Sequence, residues 1–163
     1  AMIRAGNQKG LSEFISLRRI TLSIFLLTLL IEIVFASLFF ILRDWLPTLY
    51  LDTENISKVI ENKEVILIAS KLLLIVALFQ IFDGLQVVVL GALRGMQDVK
   101  IPTIMTFVAY WMIGFPICYY LGLHTPLKST GIWIGLLISL ISASIMLCLR
   151  FNYLTKKLIA EKK

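Results

Sequence analysis

The sequence predicts an all-α polytopic membrane protein with four transmembrane helices. Its composition is the first reason: 59% of residues are hydrophobic, 16% are charged, and the mean hydropathy is +0.91. Soluble domains carry about 25% charge, and so few polar residues would leave large apolar patches on any water-facing surface. The second reason is four apolar stretches, at 20–42, 65–93, 101–123 and 131–151. Each is long enough for the ~20 residues that carry a helix across about 30 Å of hydrocarbon. Third, none of the four shows the period-2 alternation of barrel strands, which leaves the helix as the form that satisfies its own backbone in lipid.

Residues 1–19, AMIRAGNQKGLSEFISLRR, are too polar to span. Arg4, Gly6, Asn7 and Gly10 look like the end of an earlier helix followed by a cytoplasmic connector. Ser12 followed by Phe14 and Ile15 suits an interfacial helix leading into the first span. The chain lacks both an initiator methionine at position 1 and the basic-then-apolar order of a secretory signal, so a fragment of a longer protein is expected. The outer loop, 43–64, holds Trp45 and Tyr50 where amphipathic rings settle at a membrane interface. Pro47 turns the chain there, and Asn55 is placed to cap a helix entering the second span through Val59 and Ile60. The loop's acids Asp44, Asp52, Glu54, Glu61 and Glu64 read as a solvated surface on a non-cytoplasmic face.

The second span, 65–93, exceeds the minimum and has room to tilt. A short loop, 94–100, leads to Pro102, which opens the third span where a missing N–H costs nothing. Pro116 lies inside that span and is expected to kink it or to free a carbonyl. After a second outer loop, 124–130, with a solvated His124, the fourth span carries Gly131, Gly135, Ser139 and Ala143 at i, i+4 spacing. That stripe predicts a close helix-packing face, and Gly91 with Gly95 repeats it at the end of the second span. Residues 152–163 form a cytoplasmic tail. Cys118 and Cys148 fall near opposite membrane faces, on the order of 30 Å apart in depth, which excludes a disulfide between them.

The basic residues orient the chain. Arg4, Lys9, Arg18, Arg19, Arg94, Lys100, Arg150, Lys156, Lys157, Lys162 and Lys163 share one side of this topology, against Arg43, Lys58, Lys63 and Lys128 on the other. By the positive-inside rule both termini are cytoplasmic. This asymmetry also accounts for the net charge of +6, so no nucleic-acid partner is needed.

Two ionisable residues fall deep in the membrane. Asp83 lies about 15 Å, and Glu32 about 18 Å, from the cytoplasmic edge at the helical rise. Lys71 is near the outer surface and can snorkel. A carboxylate near the midplane is costly unless it is protonated, paired or facing water, which makes each acid a functional candidate. Around Asp83 the helix sets Phe79 at i−4, Gln80 at i−3, Gln86 at i+3 and Val87 at i+4, so Gln80, Asp83 and Gln86 or Val87 share a face. A carboxylate flanked by amides can bind a proton or a hard cation such as Na⁺, and burial favours the neutral form that a proton carrier needs. The alternative role for either acid is a protonated hydrogen bond joining helices. The chain has no nucleophile–base pair, metal-ligand cluster or phosphate loop, since Gly91-Ala92-Leu93-Arg94-Gly95 lacks both Walker and dinucleotide spacing. An enzyme is not expected, nor any cofactor beyond a coupling ion.

The string FDGLQVVVLGALRGMQDVKIPTIMTFVAYWMIGFPICYYLG resembles the multidrug and toxic compound extrusion (MATE) transporters, where their tenth helix runs into the eleventh. The likeness rests on Asp83, then Gly91, Leu93, Arg94 and Gly95, then Pro102, then Gly114 and Pro116. GIWIG at 131–135 resembles the entry to the twelfth helix, LPTLYLDTENISKVI the outer loop before the tenth, and RAGNQKG the end of the eighth. The resemblance implies helices nine to twelve of a twelve-helix, two-lobe transporter, packed against N-terminal helices of the same protein. It implies alternating access driven by Na⁺ or H⁺ across the inner membrane, with export of small organic cations or other drugs. The family's tenth-helix cation carboxylate falls on Asp83. Phe79 lacks the aromatic hydroxyl that some members carry one turn earlier, and Glu32 matches no family position. Two alternatives are a lipid-linked oligosaccharide flippase of related architecture and a non-transporting four-helix membrane assembly protein. A small dimeric exporter with a membrane Glu is disfavoured by the start of the chain.

Overall fold

Hydrophobicity marks what can sit in lipid, whereas backbone capping marks where a helix stops, and the two disagree along this chain. The computed structural model describes residues 1–50 and 59–161, with backbone alone at 59–62. The connector begins as a helix, α1 (Met2–Gly10), and α2 (Phe14–Leu42) starts inside the stretch expected to be polar connector. A short 3₁₀ turn at Leu46–Leu49, built on a buried Pro47, precedes α3 (Val59–Gly95). The third span is α4 (Lys100–Phe107), a π-helical segment (Val108–Gly114) and α5 (Phe115–Leu123) in continuous succession. The fourth is α6 (Ser129–Glu161), which runs on well past residue 151. The Asn55 cap and the acids Asp52 and Glu54 lie outside the described residues, as does the Glu61 side chain.

Two turns at one end of the bundle share a construction. Ser12 N–H donates to the Lys9 carbonyl at 2.9 Å, and Glu13 N–H to the Gln8 carbonyl at 2.9 Å. Gln97 N–H donates likewise to Arg94 at 2.9 Å, and Asp98 N–H to Leu93 at 3.0 Å. These paired bonds close off the last carbonyls of α1 and α3 and require a left-handed residue. That residue is Ser12 (φ 57°) in one turn and Gln97 (φ 64°) in the other.

α3 is the central strut, packed against α1, α2 and α6. The small-residue stripe on α6 docks the third span as expected. A Cβ on Gly135 would lie 2.7 Å from the backbone nitrogen of Cys118, and one on Gly131 would lie 2.7 Å from the carbonyl carbon of Leu121. Ser139 and Ala143 continue the stripe fully buried. At the end of α3, α1 crosses so closely that a Cβ on Gly95 would sit 3.0 Å from the nitrogen of Gly6.

The densest core lies at this same end: Ala5, Leu17, Val89, Ala92, Leu93, Met96, Leu147 and Phe151. Leu154 and Leu158 pack against it, so the tail stays helical because it still has an apolar face to bury. Polar ties ring the core. Lys9 Nζ donates to the Met96 carbonyl at 2.6 Å, Arg18 Nη2 to Asn152 Oδ1 at 3.1 Å, and Arg150 Nε to Asp98 Oδ2 at 2.8 Å. They bring the start of the chain, the 94–100 loop and the end of α6 to one end of the bundle. Cys118 and Cys148 are both free thiols.

The four spans are long and apolar enough to cross a membrane. They differ in what they bury. Within the chain 6% of the most apolar window of α2 is buried, against 33% for α6. α6 therefore turns more of its apolar surface inward, while α2 presents Leu26, Leu30, Val34 and Leu38 outward, to lipid or to other helices.

Candidate cation site

Gln80, Asp83 and Gln86 sit together on α3, a helix long and apolar enough to cross a membrane. Helix geometry sends Asp83 and Gln86 in different directions. Asp83 and Val87 lie on the exposed side, Gln80 is half-buried, and Gln86, 8% exposed, points into the bundle. Of the two continuations of the Asp83 face, the structure thus takes Val87, and Gln86 turns toward the third span. α6 fixes α3 at this level, with Ser144 Oγ donating to the Phe82 carbonyl at 3.1 Å and Phe79 packed edge-on against Trp133 at 6.2 Å.

The partner of Gln86 is Tyr110, whose hydroxyl donates to Gln86 Oε1 at 3.1 Å. Asp83 lies within electrostatic reach of the same tyrosine. Tyr110 belongs to the π-helical segment just upstream of Pro116. Pro116 has no N–H for the carbonyl one turn back, and its ring crowds that carbonyl. A wider π turn absorbs both effects, and such turns recur at functional positions. The break expected at Pro116 therefore takes the form of a change in helical register. Sequence periodicity missed Tyr110, because inserting a π turn rotates every residue before it relative to those after it. The third span thus brings an aromatic hydroxyl to this part of α3, bonded to Gln86, where position 79 has none.

Glu32 approaches from α2 at the same depth. A Cβ on Gly84 would lie 2.6 Å from Glu32 Oε1 and 2.7 Å from its Cγ, so the glutamate side chain lies in the space that glycine leaves. Glu32 Oε2 is buried and has no hydrogen-bond partner among the described residues. The structure therefore sets Glu32 against the residue next to Asp83, joins Gln86 to Tyr110, and leaves Asp83 on the open side.

No group of three His, Cys, Asp or Glu side chains converges among the described residues. Asp83 offers a single carboxylate, which suits a proton or a monovalent ion more than a divalent one.

The family model described as MatE matches residues 1–120. The chain belongs to the MatE family. Over 98% of its length it is 36% identical to a probable multidrug resistance protein NorM of Rhodopseudomonas palustris, covering 33% of that protein. It is 34% identical to the multidrug resistance protein NorM of Photobacterium profundum over 93% of its length, covering 32% of that protein. With the multidrug resistance protein PmpM of Pseudomonas aeruginosa, identity is 40% over 77% of the chain and 25% of the relative. This MatE chain thus spans about a third of the length of the first two relatives. The matched region contains Glu32, Asp83, Gln86 and Tyr110.

Proposed function

We propose that the protein is part of a secondary active transporter that exports drugs or other toxic organic compounds in exchange for Na⁺ or H⁺, with Asp83 as the coupling carboxylate. The observation that carries this reading is the position of Asp83. It is a mid-span acid on the side of α3 that α1, α2 and α6 leave open, with Gln80 half-buried one turn earlier on the same helix. An uncompensated acid facing lipid would be costly, so the open side is read as facing other helices of a twelve-helix, two-lobe protein or a water-filled cavity. The names of the relatives support drugs as the cargo. The protein acts by transport, not by covalent chemistry, and alternating access carries the cargo across the inner membrane. The end bearing Lys9, Arg18 and Arg150 is assigned to the cytoplasm because it gathers most of the basic residues.

Efflux of a cationic dye from cells making the full-length protein, under an imposed Na⁺ or H⁺ gradient, tests this. Asp83→Asn keeps the shape and removes the charge, and is expected to abolish gradient-driven efflux. Full efflux in that variant would refute the assignment.

A further inference from the structure

We propose that the basic end of α2 holds an anionic phospholipid such as phosphatidylglycerol, with its phosphate on Arg18 and Arg19 and an acyl chain along Leu22, Leu26 and Leu30. A groove of about 290 Å³ opens between α2 and the end of α6, lined by Ile15, Arg18, Arg19, Leu22, Ser23 and Ile159. Its depth suits a headgroup. The 29 residues of α2 reach about 43 Å at the helical rise, close to the thickness of a bilayer with its polar layers. The two arginines begin the second turn of that helix and so stand at phosphate level.

The charge in this groove is unbalanced. Asp98 pairs with Arg150 at 2.8 Å and Glu161 with Lys157 at 3.7 Å, whereas no carboxylate lies within ion-pair distance of Arg18 or Arg19 among the described residues. Asn152 Oδ1 accepts from Arg18 Nη2 at 3.1 Å, which holds that guanidinium in place and leaves its other N–H groups for a second partner. Lys156 shares a face of α6 with Asn152 and Ile159, at i+4 and i−3, and adds a third cation with no carboxylate partner among the described residues. A planar guanidinium can take a phosphate through two parallel hydrogen bonds. Toward the middle of the span, Leu22, Leu26 and Leu30 continue the row of Arg18 at i+4 spacing, and all three are exposed. Cations followed by a continuous apolar row are the complement of an anionic phospholipid. A zwitterionic lipid would bring its own cation to a groove that already has a positive excess. Arginines that only reach for water would need neither the groove nor the tie to Asn152.

The test titrates full-length protein in detergent with dioleoyl-phosphatidylglycerol and counts bound lipid by native mass spectrometry. One phosphatidylglycerol should bind more tightly than the rest, and dioleoyl-phosphatidylcholine should not replace it. Arg18→Gln/Arg19→Gln should weaken that site about thirtyfold, since each basic residue beside anionic lipid contributes roughly fivefold. Arg94→Gln/Lys100→Gln removes as much charge from residues that do not line the groove, and should leave the site intact. Should the first double variant not fold, Arg19→Gln alone decides, because Arg19 is exposed, and a loss of roughly fivefold is expected. Equal losses in the two double variants would show a diffuse effect of charge and overturn the site, as would equal binding of phosphatidylcholine. Unchanged phosphatidylglycerol binding in Arg18→Gln/Arg19→Gln also overturns it, and would mean that another part of the protein covers the groove. None of these outcomes depends on Asp83.

Discussion

Gln86 shows how one residue can change partners when a neighbouring helix changes register. On α3 alone it is an amide one turn from an acid, and in the structure it is buried and tied to Tyr110 at 3.1 Å. Tyr110→Phe keeps the ring and removes the donor, which strands a buried amide oxygen. Interhelical hydrogen bonds in membranes are worth about 0.6 kcal/mol on average, and a buried unsatisfied group costs about 1–3 kcal/mol. A loss near 1 kcal/mol is therefore expected on unfolding in detergent. In combination with Gln86→Leu the second change should cost less than it does alone, because no oxygen remains to be stranded. Additive losses would show that the bond does not form.

At the scale of elements, the contact between α6 and the third span depends on absent side chains. A Cβ on Gly135 would meet the nitrogen of Cys118 at 2.7 Å and its Cα at 2.8 Å. These are backbone atoms that cannot swing aside, so Gly135→Leu should separate the two helices. The expected outcome is loss of monodisperse protein in detergent. Gly10, at the end of α1, would place a Cβ in open space. Gly10→Ala should therefore be neutral or gain up to about 1 kcal/mol from the lower flexibility of alanine. Equal behaviour of the two variants in size-exclusion chromatography would refute the packing account. The i, i+4 spacing of the stripe made this face legible from sequence. The π segment was not legible, because proline announces that a helix must change but not which compensation it adopts.

For the molecule as a whole, stability concentrates at the basic end, where the core of Leu17, Leu93 and Leu147 is ringed by charged ties. Arg150 and Asp98 join α6 to the loop after α3 with side chains only 18% and 13% exposed. Removing one partner of such a pair leaves the other charge buried, at a cost of about 3–5 kcal/mol, whereas replacing both is often near neutral. Arg150→Met should thus lower the melting temperature of the full-length protein in detergent more than Asp98→Leu/Arg150→Met does. A double variant as unstable as the single would show that the pair is worth more than its desolvation.

The four spans, the packing stripe and the two mid-membrane acids were determined by sequence, because each depends on local composition or helical spacing. Helix ends were not. α2 begins at Phe14, directly after the backbone turn that closes α1, and α6 runs to Glu161 because it still has an apolar face to bury. Only the tertiary structure decided that Gln86 faces Tyr110, that Asp83 stays on the open side, and that Glu32 lies against Gly84. Those three facts depend on how one helix is rotated against another. That rotation is set by close backbone approach and by the register shift before Pro116, which no single helix encodes.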